Sequence, residues 1–297
     1  MLCLATPDTA ATRYDRLRML GELIGVGRTS EVYAVGSQHA AKVLNADVPA
    51  PCADAEAAFT TAVRFLGVRV PEVHEITTID GRPAIIFERI NGRSMWEEML
   101  ASPASFDELV EEFVEVQRSI HRAGVPVGLP SSSSRMCAKI RSVDSLSTAD
   151  RTEACDMVLA LPSGAALLHG DLHPGNVLMS ADGPVVIDWF DATIGHPITD
   201  VVRTALLLRP AGAGALHHLP AADHGQLQTL HDRYVAAVCD MLAAEHDRIG
   251  DWESVAAVSR LAESTDPDPQ DLTDRWAARR STMPAWSLRR AIASASG

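Results

Sequence analysis

The segment LLHGDLHPGNVLMSADGPVVIDWFDA, residues 167–192, constrains this chain more than any other. A turn rich in glycine and proline carries Asp171, and Asn176 follows five residues later. Two short apolar runs come next, Asn176–Ser180 and Pro184–Asp188, joined at Ala181-Asp182-Gly183, and together they read as a hairpin. A hairpin returns the chain on itself, so Asn176 and Asp188 are expected side by side. Three oxygen-bearing side chains then converge from one compact unit. Mg²⁺ takes oxygen ligands in an octahedral arrangement, and phosphoryl transfer needs such an ion with a carboxylate beside the attacking hydroxyl. The plainer alternative is a turn with an incidental Asp and Asn; the spacing and the hairpin context weigh against it.

HGDLHPGN followed by IDW resembles the catalytic loop and metal motif of the aminoglycoside phosphotransferase and choline kinase group, itself similar to the protein kinases. The resemblance implies an α+β, two-lobed protein-kinase-like fold. A small N-lobe would hold an antiparallel sheet and one helix, and a larger, mainly helical C-lobe would follow. It implies Asp171 as catalytic base, Asn176 and Asp188 as Mg²⁺ ligands, and His169 as a brace of the loop. ATP or GTP would be the phosphoryl donor.

The upstream pieces fit the same reading. Gly25-x-Gly27-x-x-Ser30 sits at a hairpin tip, where glycines let backbone amides approach phosphate; alone, such a match is equally an ordinary turn. The chain has only two lysines, Lys42 and Lys139, among 26 basic residues, so a lysine here invites a chemical reason. Lys42 follows the glycine turn at the distance of the third strand, where an ammonium can pair with α- and β-phosphates; a solvated strand lysine is the alternative. Such a lysine needs an orienting carboxylate. Glu56 is the first choice and Asp54 its rival, an acid that could instead favour a helix N-terminus. By the resemblance, the Glu88 carbonyl and the Ile90 amide would hold the base, with Phe87 limiting the pocket.

Other residues have structural readings. His173 is expected to hydrogen-bond structurally, with the acceptor site as its alternative, and the resemblance implies Asp200 as an anchor of the catalytic loop. His217-His218 look like a metal pair but lack a third ligand at sensible spacing and are expected in a polar loop, and Trp252, Trp276 and Trp286 are expected to be core. Asp240, Glu245, Asp247, Glu263, Asp271 and Asp274 could line a cationic pocket or form solvated helix faces.

Hydrophobic patterning gives the order β-β-β-α-β-β to about residue 90, after a leader over 1–17, with hairpins turning at Arg28-Thr29-Ser30 and at Asp80-Gly81. The helix, from Asp54 to Leu66, shows Ala55, Phe59 and Val63 on one face. Residues 1–90 are thus expected as the nucleotide-binding lobe, and 91–297 as the lobe with the catalytic loop, metal site and acceptor-binding helices. Helices are expected over Ser94–Leu100, Phe106–Ala123 and about 151–160, and from Pro197 onward to about Arg280. Pro126, Pro130 and the run Ser131–Ser134 suggest a mobile segment over 125–150, and the tail is expected to fray.

The formal net charge of −13 repels nucleic acid and anionic membranes and mildly favours cationic partners. Five scattered cysteines with no Cys-x-x-Cys pair argue against a disulfide framework or structural zinc. With no signal peptide or membrane span in view, the cytoplasm is the expected location. The resemblance implies a hydroxylated small-molecule acceptor: an aminoglycoside or another cationic antibiotic, including a basic peptide antibiotic. Choline, a sugar or an amino-alcohol fits the same motifs. The short interval from Asp188 to the helix near Pro197 disfavours a protein kinase, and the full set Lys42, Asp171, Asn176 and Asp188 disfavours a non-catalytic nucleotide-binding module. Nothing in the sequence speaks to oligomeric state.

Overall fold

The computed structural model describes residues 20–210, 224–263, 269–278 and Leu288. The leader over 1–17, His217-His218, Trp286 and the terminal ASASG lie outside these residues, as does the side chain of Asp271.

Strands β1 (Leu23–Val26), β2 (Ser30–Val35), β3 (His39–Leu44), β4 (Val73–Ile79) and β5 (Arg82–Glu88) form one antiparallel sheet in the order β1-β2-β3-β5-β4. Asp80 and Gly81, at φ 49° and 79°, turn β4 into β5 through two successive left-handed residues, the conformation that matches strand twist in a tight hairpin. Lys42 lies opposite Val32 on β2 and Ile85 on β5, so it occupies a central strand.

The helix Pro51–Phe65 covers one face of this sheet. Proline in its first turn forfeits no helical hydrogen bond. Its buried positions are Ala53, Glu56, Ala57, Thr60 and Val63, and Ala53 and Ala57 pack on Leu44 and Ile85. The stripe through Ala55, Phe59 and Val63 is therefore only partly the buried one, since Ala55 and Phe59 are half-buried. The small alanines let the helix lie close to the sheet, and that approach turns Glu56 inward. Side chains alternate along a strand. Leu44 meets the helix, so Lys42, two residues earlier, points to the same side.

Beyond β5 the structure is mostly helical. Met95–Ala101 begins with a capping box between Ser94 and Glu97. Phe106–Arg122 buries Val110, Phe113, Val114, Gln117 and Ile120 at helical spacing against Trp189, Tyr234 and the apolar face of Pro197–Leu208. His224–Ala237, Cys239–Ala243, Ile249–Arg260 and Pro269–Ala278 complete the helical part. Trp252 and Trp276 are buried in it, as core residues. Two small two-stranded sheets, β6 (Ala166–Leu168) with β9 (Thr193–Gly195) and β7 (Val177–Ser180) with β8 (Gly183–Val186), carry the segment 166–195.

The interval 125–150 departs from expectation, because it holds the helix Ser132–Arg141 and the start of Thr148–Ala160. The serine run is a helix start rather than a mobile stretch: the Ser131 hydroxyl accepts from the Ser134 amide at 3.1 Å, and Ser147 caps the next helix in the same way.

Candidate active site

The hairpin β7–β8 pairs Val177 with Val186, which sets Asn176 and Asp188 at the same end of the two strands. The Ile187 amide donates to the Asn176 carbonyl at 3.0 Å and closes that end. Asp188 then takes a left-handed conformation, φ 64°, which only glycine, asparagine and aspartate adopt readily. This turns its carboxylate away from the hairpin and into a cleft of about 320 Å³ below the five-stranded sheet.

Gly25, Gly27, Ser30, Lys42, Glu56, Glu88, Ile90, Asn176 and Asp188 all line that cleft, together with Phe87. Lys42 crosses it: its Nζ lies 2.6 Å from Glu56 Oε1 and 2.9 Å from Asp188 Oδ1. Asp54 is solvent-exposed on the outer face of its helix. Burial would depress the Lys42 ammonium, but Asp188 and Glu56 reverse this and hold it above the ordinary lysine value. Burial raises the Glu56 carboxyl to about 6 despite the counter-pull of Lys42. Burial also works against ionised Asp188, and Lys42 again prevails, so that carboxyl sits below its usual range.

The Gly25 and Gly27 positions are not crowded by the protein itself. A Cβ would meet Val32 at 3.5 Å and Ser30 at 3.6 Å, ordinary contacts. Farther along the cleft, the amides of Glu88 and Arg89 are spent on the carbonyls of Glu72 and Gln38. Ile90 follows as the chain leaves the sheet.

Asp171 sits apart from the residues lining this cleft but is tied to it, for the Asn176 side-chain amide donates to the Asp171 carbonyl at 2.9 Å. That bond orients Asn176, leaving its side-chain oxygen as the group available to a ligand. Arg203 Nη2 donates to Asp171 Oδ1 at 2.7 Å. Burial alone would raise the Asp171 carboxyl, yet the Arg203 guanidinium and the His173 imidazole hold it below the usual range.

The loop is braced from behind. Asp200 accepts from the amides of His169 and Gly170 at 2.9 and 2.8 Å and pairs with His121. His169 Nε2 donates to the Ile187 carbonyl at 2.9 Å, and His173 Nδ1 accepts from the Gly175 amide. Thr204 donates to the Leu172 carbonyl, Gln117 donates to Thr204, and the Tyr234 hydroxyl donates to Gln117. Arg203, Thr204, Gln117 and Tyr234 were not marked by any local pattern in the sequence; their only signal is a polar side chain on an otherwise apolar helical stripe.

Gly170 is demanded by the fold. Its φ is +81°, and a Cβ there would stand 2.2 Å from the Asp191 carbonyl oxygen. Gly170→Ala is therefore expected to destabilise the protein by roughly 2–4 kcal/mol, combining left-handed strain with overpacking. Denaturant unfolding would measure it, and an unchanged midpoint would contradict the crowding described.

The acids considered for a cationic pocket are dispersed. Asp240 is exposed and pairs with Arg118, Glu245 faces His196, and Asp247 and Asp274 are solvated. Glu263 is buried between Lys139 and Arg203. Among the described residues, these side chains form no acidic lining.

The model of the phosphotransferase enzyme family matches residues 21–234. The fold is similar to a thermostable mutant of aminoglycoside phosphotransferase APH(4)-Ia, with 18% identity, coverage of 96% of this chain and 98% of that one, and a TM-score of 0.60. A second structure of such a mutant, a ternary complex with AMP-PNP and hygromycin B, matches at 18% identity over 91% and 97% of the two chains, TM-score 0.60. A choline/ethanolamine kinase family protein from Mesorhizobium loti matches at 18% identity over 93% and 92%, TM-score 0.54. No curated protein is detectably similar in sequence. Among the described residues, no helix is long and apolar enough to cross a membrane.

Proposed function

The chain belongs to the phosphotransferase enzyme family, and from that premise we propose that it moves the γ-phosphoryl group of ATP to a hydroxyl of a small molecule, with Asp171 as base. The observation that carries this reading is the Lys42 bridge, which draws the sheet, the Pro51–Phe65 helix and the Asp188 turn onto one cleft. An ammonium so placed meets the α- and β-phosphates, with Glu56 holding it in position. Gly25, Gly27 and Ser30 cover the phosphates, and the two glycines, lacking side chains, let the backbone approach them closely. The Glu88 carbonyl and the Ile90 amide take the base edge, where Phe87 limits the depth.

The donor set suits Mg²⁺. Asn176 and Asp188 offer hard oxygens on one side of the cleft, and the orientation of the Asn176 amide leaves its oxygen for a cation. Bound there, the ion would neutralise phosphate charge. Asp171 orients the acceptor hydroxyl and takes its proton as the oxygen–phosphorus bond forms, while ADP leaves. Catalysis on this account is mostly positioning and charge stabilisation.

Only residues 189–196 separate Asp188 from the helix Pro197–Leu208, too short an interval for an activation segment, which favours a small acceptor over a polypeptide. The acceptor classes implied by family membership are an aminoglycoside or other cationic antibiotic, a basic peptide antibiotic among them, and metabolites such as choline, a sugar or an amino-alcohol. A coupled ADP-release screen across these classes is expected to show acceptor-dependent turnover. Tight nucleotide binding with no transfer to any acceptor would instead mark a non-catalytic module.

A further inference from the structure

We propose that the acceptor is an oxygen-rich molecule without ammonium groups, a sugar or another polyol, because the wall beside Asp171 is already neutralised by cations of this chain. The inference rests on the phosphotransferase reading and names the substrate class of that same site.

A pocket for a polycation needs carboxylates with nothing else to pair with. Among the described residues beside Asp171, each carboxylate already has a partner. Asp171 Oδ1 is 2.7 Å from Arg203 Nη2, and the other arm of that guanidinium, Nη1, is 2.9 Å from Glu263 Oε1. Lys139 Nζ bridges Glu263 at 2.9 Å and Asp191 at 3.1 Å. Asp191 also receives Arg135 Nε at 3.0 Å. Three carboxylates thus meet three cations in one continuous chain of contacts. The fourth acid on this wall, Asp200, is spent on two backbone amides and on His121.

The wall has donors to spare. Arg135, Lys139, Thr199 and Arg203 border a small recess of about 50 Å³ that reaches Gly170, the residue before the base. Arg203 Nε and Thr199 Oγ1 are buried without a hydrogen-bond partner among the described residues and out of a ligand's reach, whereas the Arg135 and Lys139 side chains are each 24% exposed. Lys139 and Arg135 each carry further N–H groups beyond those bonded to Asp191, Glu263 and the Phe190 carbonyl. Hydroxyl and ring oxygens have the lone pairs these donors require. Asp171 Oδ1 and Glu263 Oε1 each already face a cation of this chain at 2.7–2.9 Å, so an arriving ammonium meets like charge there, whereas a neutral hydroxyl does not. The 18% likeness to the enzyme seen with hygromycin B extends to the fold, and the charge on this wall is set by residues of this chain.

The test uses acceptor pairs that differ by hydroxyl against ammonium: glucose with glucosamine, and scyllo-inositol with streptamine. ADP release is read as kcat/KM for the whole chain and for two variants. The wild type should favour the hydroxyl member of each pair by about tenfold or more, as expected when a mismatched charge is refused. Lys139→Met leaves three carboxylates against two cations and should narrow that ratio about tenfold. Lys139→Met with Glu263→Gln restores the balance, should be the more stable variant, and should return the ratio to the wild-type value. Preference for the aminated members, or a ratio unmoved by Lys139→Met in folded protein, overturns the charge argument while leaving phosphotransfer standing. No transfer to any acceptor by nucleotide-loaded enzyme overturns the phosphotransferase reading and this inference with it.

Discussion

Asp171→Ala is expected to lower turnover by roughly 10²–10⁴-fold, the range for loss of a positioned general base, with nucleotide affinity almost unchanged. The two halves of this result have separate causes. Asp171 is the one carboxylate within the loop His169–Asn176, and its side chain does not line the nucleotide cleft. Its removal should therefore act on the acceptor proton and not on the triphosphate. Nor should the fold collapse, because Arg203 keeps its second partner, Glu263, at 2.9 Å. Steady-state rates together with a nucleotide titration would check both halves. Turnover within a few-fold of wild type would remove Asp171 from the role of base.

Lys42→Met should cost about 10²–10³-fold in turnover, comparable to deleting one preorganised charge from a phosphoryl-transfer site. It should also raise KM for the nucleotide and lower the melting temperature. The stability loss has a specific origin: without the ammonium, Glu56 and Asp188 face each other across the cleft as two unneutralised acids. Glu56, already raised to about 6 by burial, would then be pushed higher and take up a proton. Adding Glu56→Gln to Lys42→Met should recover much of the stability and none of the turnover. Thermal melts and rates on the single and double variants separate the two effects. Recovered activity in the double variant would mean that Lys42 serves the fold alone.

The catalytic segment is legible in sequence because its geometry is local. A glycine–proline turn and a two-strand hairpin are short-range structures, and they bring Asn176 and Asp188 together whatever surrounds them. Lys42 stands out because the composition offers almost no other lysine. Choosing Glu56 over Asp54 requires knowing which helix face is buried, and the alanines at 53 and 57 decide that by packing on Leu44. The serine run at 131–134 illustrates a real ambiguity: serine favours both loops and helix caps, and only the apolar residues Met136, Cys137 and Ile140 that follow resolve it. Arg203, Lys139 and Glu263 are of another kind. Arg203 and Lys139 lie on two separate helices and Glu263 in the turn just after a third, and their meeting beside Asp171 depends on how those helices pack, which no local pattern encodes.

The most direct test of the account follows the phosphorus atom itself. With ATP, Mg²⁺ and the best acceptor from the screen, ³¹P NMR should show the γ-phosphorus reappearing as a phosphomonoester of the acceptor, a signal absent with Asp188→Ala. Release of inorganic phosphate alone, at equal rates in both proteins, would contradict phosphoryl transfer at this cleft.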